Sequence, residues 1–336
     1  MKKKSFRGEV WTNIHPDILA YLSEINEEDV EGGVGHDKYS LEGIRLMQEN
    51  FKDPIYATYT MNGTAANTIA LKAMLDRYSS VITATQTHIN VHECGAFEYN
   101  LGAKIFAAPS LDGKLTPKAI TATLTEARSH SYLPKVIVLT QPTEYGVLYS
   151  TDEIKAITDL AHKNDMYVYM DGARICMALD ALNIGFKELI EDTNVDAFTF
   201  GGTKAGALLG EMIVFRRKEF AAALDYILKQ SLQHLDRSKF LGGQIEYLLR
   251  TGLWKETAHA ANEKAKQLEA KLKEKGIEIA FPVDTNTVFC RMDEETLARA
   301  CEVFDLHYWD APQRIVRLCT TYLTTEDEIK ELIDLI

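Results

Sequence analysis

From residue 56 to residue 215 the chain alternates short apolar runs with longer stretches whose apolar residues recur every three or four positions. Runs at 56–60, 81–84, 104–107, 136–140, 167–170, 197–200 and 212–215 have the length and composition of buried strands. Stretches at 64–77, 117–127, 151–163 and 186–191 have the period of helices packed on one face. The helix at 151–163 opens on Ser150-Thr151-Asp152-Glu153, a hydroxyl cap followed by acids, which suits a helix start. Such alternation predicts a mostly parallel sheet covered by helices on both faces. Beyond residue 221 the pattern lengthens. Helical periods at 240–250 and 256–275 lead to a tail of alternating strand and helix at 277–280, 287–291, 295–304, 315–319 and 326–335. This tail reads as a second, smaller α/β unit joined by the N-terminal segment. The expected division gives an N-terminal segment and large domain over 1–250 and a small domain over 251–336.

Composition narrows the class. The 336 residues are 46% hydrophobic and 26% charged, ordinary for a soluble globular enzyme. A net charge of -12 with no basic block argues against nucleic acid as a partner, since phosphate neutralisation needs clustered Lys and Arg. The basic start at Lys2-Lys3-Lys4 is not followed by an apolar core of signal-peptide length, and no apolar run approaches a membrane span of about 18 residues. No membrane partner is therefore expected. Cys94, Cys176, Cys290, Cys301 and Cys319 are odd in number and scattered. They suggest neither a disulfide framework nor a zinc cluster, and a reducing cytoplasm is the expected location.

The strand at 197–200 stops at Gly201-Gly202-Thr203-Lys204. A double glycine lets the backbone turn sharply and approach a ligand closely. A lysine held there partly out of water loses some preference for its charged form, and a neutral amine can attack a carbonyl. A solvated surface turn is the other reading of these four residues alone. Their spacing is not that of a G-x-x-x-x-G-K-[ST] phosphate loop. Asn62-Gly63-Thr64 opens a helix directly after a strand, where backbone N–H groups and the helix dipole favour a phosphate. A plain helix start with Thr64 at or near the N-cap is the alternative. The G-x-G-x-x-G fingerprint is absent, which counts against a nicotinamide enzyme.

His88 and His92 share a face if their turn is helical. The order His88…His92-Glu93 is not H-E-x-x-H, so no metal is expected, and one of the two histidines is free to stack on a flat cofactor. Asp171-Gly172-Ala173-Arg174 ends a further strand at the edge where α/β sheets collect ligand contacts. It reads either as a structural Asp–Arg pair or, with Lys204, as part of a cofactor site. A fixed carboxylate would keep a pyridine nitrogen protonated while a lysine held the aldehyde. Glu144 follows the strand at 136–140 on the same rim. Arg317 lies on a strand of the smaller unit, either as a solvated edge charge or as a two-pronged contact to a substrate carboxylate.

In order along the chain, these stretches resemble the threonine aldolase / β-eliminating lyase group of fold-type I pyridoxal-phosphate enzymes. The matching segments are Asn62 to Asn67, His88 to Gly95, Gln141 to Gly146, Asp171 to Arg174, Gly201 to Lys204, Phe240 to Gln244, and Arg317-Leu318. The resemblance implies an α/β fold of the aspartate aminotransferase kind, with a mostly parallel seven-stranded sheet and a smaller C-terminal domain. It implies pyridoxal 5'-phosphate as cofactor and Lys204 as the Schiff-base lysine. Asp171 is the implied partner of the pyridinium nitrogen, and His88 the ring over the cofactor. Asn62, Gly63 and Thr64 form the implied phosphate cup, with Thr203 adding to it, and Arg174 lies near the phenolic oxygen. Arg317 is implied to hold the substrate carboxylate. The family completes its site across a subunit interface, which makes Arg237 or Lys239 the implied contact from a neighbour in a homodimer or homotetramer. Glu144 stands where one branch of the family has a histidine that helps deprotonate the substrate hydroxyl, and a base role is open to it. Gly8-Glu9-Val10 replaces the usual Ser-Asp-Asn, and Val34-Gly35-His36-Asp37-Lys38 replaces Tyr-Gly-Asp-Asp-Pro. Gly8 and His36 are thereby candidate substrate-side residues.

The expected activity is a carbon–carbon lyase that cleaves a β-hydroxy-α-amino acid of the threonine or allo-threonine kind to glycine and an aldehyde. Because the cofactor residues are kept while the substrate wall is altered, poor threonine cleavage and a larger or differently charged preferred substrate are expected. The alternatives are β-elimination, transamination or racemisation on the same scaffold. A non-catalytic cofactor-binding protein is disfavoured by the presence of both Lys204 and Asp171.

Overall fold

The computed structural model describes residues 4–29, 32–33, 35–126 and 130–336. Val34 and Ala127, each within a segment predicted above, lie outside the described residues. Seven strands form the central sheet: β1 (Tyr56–Thr60), β2 (Ser79–Ala84), β3 (Lys104–Ala108), β4 (Leu133–Thr140), β5 (Tyr167–Asp171), β6 (Ala197–Gly201) and β7 (Glu211–Phe215). Their order is β1-β7-β6-β5-β4-β2-β3. Pairs β2–β3, β2–β4, β4–β5 and β5–β6 are parallel, and β7 runs antiparallel to both β6 and β1.

Both faces of this sheet are covered, so successive residues of one strand enter different cores. Ile82, Ile137, Leu139, Val168, Met170, Phe198 and Phe200 pack into one. Val81, Val136, Val138, Tyr169, Ala197, Ile213 and Phe215 pack into the other. That is why the strands read as continuous apolar runs in the sequence.

The second sheet has three strands, β8 (Thr287–Arg291), β9 (Tyr308–Asp310) and β10 (Ile315–Cys319), in the antiparallel order β9-β10-β8. The segment 277–280 contributes only a bridge from Ile279 to Cys290. The long helix Leu253–Glu274 joins the two regions. Trp254, Ala258 and Ala261 belong to the first core, whereas Ala265, Leu268 and Leu272 pack with Val288, Val316, Leu318 and Ile329. Phe6 is buried in that last cluster too, and Lys4–Ser5 pairs with Phe304–Asp305. The start of the chain is thus built into the C-terminal unit.

Most predicted elements form within a few residues of their expected bounds. Helix 64–77 runs as Gly63–Met74 and stops where Leu75 turns extended. Residues 186–191 contain a π-helical turn, Lys187–Glu191. Helices Pro16–Asn26, Lys38–Gln48 and Ile175–Leu182 and strand β9 were not anticipated. Among the described residues no helix is long and apolar enough to cross a membrane.

Candidate active site

The C-terminal ends of β4, β5 and β6 deliver Glu144, Asp171 and Lys204 to one rim. Lys204 lies in a single 3-10 turn, Thr203–Ala205, directly after β6. The two glycines before it are required by the chain's own packing. A Cβ on Gly201 would stand 2.2 Å from the carbonyl oxygen of Ala173, and one on Gly202 2.6 Å from that of Gly210. Both glycines therefore allow close approach to neighbouring backbone. Lys204 is half-buried, and desolvation lowers its pKa. The nearby Arg174 charge lowers it further, against the opposing pull of Glu9, Glu144 and Asp171. Part of the amine is thereby made available as a nucleophile.

Asp171 is buried and fixed at both oxygens. Oδ1 accepts from the Ala173 N–H at 3.0 Å and Oδ2 from Asn67 Nδ2 at 3.0 Å. Asn67 is the hub of a network. Its Nδ2 also donates to Glu93 Oε1 at 2.8 Å, and its Oδ1 accepts from the Tyr169 hydroxyl at 2.8 Å. His88 Nδ1 lies 2.7 Å from the same Glu93 oxygen. Since that oxygen already accepts from Asn67, the imidazole is the donor, which sets its tautomer. Burial works to lower the His88 pKa, but the Glu93 bond and the Glu144 and Asp171 charges outweigh it and raise the pKa. In the sequence Glu93 stands out only as the carboxylate beside His88 and His92, and Asn67 only as the end of a matching stretch. No local signal in the sequence joins them.

Asn62 caps the helix Gly63–Met74, its Oδ1 accepting from the Ala65 N–H at 2.9 Å. This corrects the alternative that placed Thr64 at the cap. The first turn is open, since a Cβ on Gly63 would meet nothing within 4 Å. Thr203 Oγ1 is buried beside the Glu211 carboxyl.

Glu9 is buried and receives Arg174 Nε at 2.7 Å, Arg174 Nη2 at 3.2 Å and Asn286 Nδ2 at 2.9 Å. Burial alone would raise its pKa, but Arg174 and Lys204 hold it well below the usual carboxylate range. Arg174 thus pairs with Glu9 rather than with Asp171. Gly8 has φ of 149°, a conformation that side chains rarely adopt, and a Cβ there would stand 4.0 Å from Arg317 Nη2. Glu144 is buried, and among the described residues nothing hydrogen-bonds its carboxyl. Burial works to raise its pKa, but the Arg174, Lys204, His88 and Arg317 charges prevail and lower it. All four therefore lie close around it.

Two groups are not brought to this cluster by the chain's own fold. His36 is exposed and lines a cleft of about 270 Å³ with Tyr56, Thr58 and Tyr226, on the β1 edge of the sheet. Lys239 donates to the carbonyls of Ile25 at 3.0 Å and Glu28 at 2.6 Å, which leaves Arg237 as the exposed, unengaged cation of that pair.

Together the fold and the rim residues define a fold-type I pyridoxal-phosphate enzyme. The architecture matches aspartate aminotransferase from Thermus thermophilus with a TM-score of 0.74 at 16% identity, covering 99% of this chain and 90% of that one. A family model described as beta-eliminating lyase matches residues 21–295. The chain belongs to that family. Similar to it are the low specificity L-threonine aldolase of Pseudomonas sp. (strain NCIMB 10558), 33% identical over 88% of this chain and 86% of that protein, and a solved structure of Leishmania major threonine aldolase. The latter superposes with a TM-score of 0.93 at 29% identity, covering 99% and 98% of the two chains.

Proposed function

We propose that the chain is a pyridoxal-phosphate-dependent aldolase that cleaves β-hydroxy-α-amino acids of the threonine kind to glycine and an aldehyde. The observation that carries this reading is the half-buried, pKa-lowered Lys204 amine facing a fixed Asp171 carboxylate, with unpaired Arg317 on the far wall. The available groups suit the cofactor. Lys204 is the amine for its aldehyde, and Asp171 the acceptor for its ring N–H. His88, locked by Glu93, is the flat surface over the ring. The N–H groups of the open turn at Asn62–Thr64 and the Thr203 hydroxyl are the donors available to its phosphate. When bound, the cofactor supplies the electron sink that makes scission beside the amino carbon feasible.

The chain's own residues orient and move protons. Arg317 holds the substrate carboxylate and so fixes the Cα–Cβ bond relative to the ring. Glu144, kept ionised by the surrounding cations, accepts the β-hydroxyl proton directly or through one water. Glu9 neutralises Arg174, so the wall facing the substrate carries less positive charge than its arginine count suggests. We further infer a cytoplasmic homo-oligomer. Cys94, Cys176, Cys290 and Cys319 form no disulfide, in keeping with a reducing compartment. Exposed Arg237 and His36 stand where a second copy would have to bring them to a site.

The test is product analysis of the reconstituted protein given threonine, allo-threonine and β-hydroxy amino acids with larger substituents. Equal amounts of glycine and aldehyde are expected. Release of ammonia and a keto acid, or inversion at the α-carbon without scission, would replace this reading by another reaction on the scaffold.

A further inference from the structure

Arg317 acts at a distance on the Glu144 and Glu9 carboxylates but forms no ion pair with any described residue, and its buried Nε makes no hydrogen bond. What touches the guanidinium is an indole. Its Cζ lies 5.2 Å from the centre of the Trp309 ring. Trp309 is on β9, where the register against β10 shifts between Tyr308 and Asp310. Such an irregularity re-aims a side chain out of the regular alternation. The indole is set on two further sides. Phe289, directly opposite Arg317 in the β8–β10 pairing, meets it at 5.8 Å and 75°. His92, which ends the turn that carries His88, meets it at 5.3 Å.

A long arginine side chain without hydrogen bonds would sample many rotamers, and ordering it on binding would weaken affinity. An indole face removes that freedom while leaving every N–H available, because the attraction acts on the π face of the ring. We propose that Trp309 is the positioning residue for Arg317: it presents the guanidinium, already oriented, to the substrate carboxylate. This rests on the reading of Arg317 given above. Trp309 acts through Arg317 alone, so its influence extends only to ligands that carry a carboxylate.

The experiment uses the cofactor-loaded enzyme and the spectral change of the cofactor on ligand binding. Glycine is compared with ethanolamine, which has the amine but no carboxylate. Trp309→Leu is expected to weaken glycine binding and raise KM for threonine roughly tenfold, the scale of a desolvated cation–π contact, with kcat nearly unchanged. Ethanolamine binding should not change. Trp309→Phe, which keeps an aromatic face, should recover most of the loss, and Trp309→Leu should add nothing in an Arg317→Leu background. Equal weakening of glycine and ethanolamine, or fully additive losses in the double variant, would overturn the assignment. A wild-type enzyme that fixes cofactor but shows no response to glycine would overturn the reading of the whole site. Undiminished glycine binding by Trp309→Leu would overturn the Trp309 assignment alone.

Discussion

Glu9 and Arg174, 165 positions apart in sequence, form a buried two-pronged ion pair, with Nε–Oε1 at 2.7 Å and Nη2–Oε2 at 3.2 Å. Removing one partner of a buried pair leaves the other charge uncompensated, at a cost of about 3–5 kcal/mol. Glu9→Gln should therefore lower stability by roughly 3 kcal/mol at pH 7. The Glu9 pKa is depressed in the folded chain, so its contribution is fully present above the unfolded value near 4.5 and is lost as pH falls below it. Urea midpoints of wild type and variant should accordingly converge in acid. A gap that stays constant from pH 7 to pH 3 would contradict this account.

Lys204→Ala should abolish threonine cleavage and the covalent attachment of cofactor. Borohydride followed by intact-mass measurement should add the reduced cofactor to wild type and nothing to the variant. Fixation at a different lysine in the variant would show that Lys204 is not the attachment point.

Glu144→Gln should slow aldehyde release far more than it slows exchange of the glycine α-proton for deuterium, since glycine has no hydroxyl to deprotonate. With its pKa held below the ordinary 4.5, Glu144 should contribute no acid limb to the rate profile above that pH. Equal losses in the two assays would assign the residue to general positioning.

Glu211 is buried, and burial pushes its pKa up to about 8, against the pull of the Thr203 hydroxyl and of Lys204. Between the unfolded value near 4.5 and 8 the folded chain keeps a proton that the unfolded chain has released. Stability therefore falls with rising pH in that window, by up to about 1.4 kcal/mol per unit. Glu211→Gln removes this slope and should be more stable than wild type at pH 8, with the difference shrinking toward pH 5. Denaturant titrations of the cofactor-free proteins at both pH values check it, and a variant less stable at pH 8 would refute the assignment.

The large sheet was legible because both of its faces are covered. Burial on two sides makes each strand a short apolar run bounded by turns, and all seven predicted strands are present. The helices Pro16–Asn26 and Lys38–Gln48 were harder to see. Leu19 and Leu41 are exposed while Ser40 and Gly43 are buried, so their apolar pattern does not report the packed face. At the site, Lys204, Asp171, His88 and Glu144 were visible because each ends or follows a strand. Asn67 and Glu9 act through partners far away in sequence, and no local pattern encodes a pairing such as Glu9 with Asn286. Glu9 in particular had been noticed only as a departure from the family's usual segment.

The threading of the first residues through the C-terminal unit has a consequence for how the protein is made. The carbonyl of Phe6 accepts from the Cys319 N–H at 2.7 Å, and Glu9 is tied to Asn286. The segment around Phe6 and Glu9 can reach its place only after residues 286–319 have been synthesised. Until then Arg174 lacks its two-pronged partner, and Glu144 is the carboxylate left to act on it. During translation the large sheet is able to assemble around Lys204 well before the substrate wall exists, so a nascent chain would gain the cofactor's side of the site first and its selectivity last.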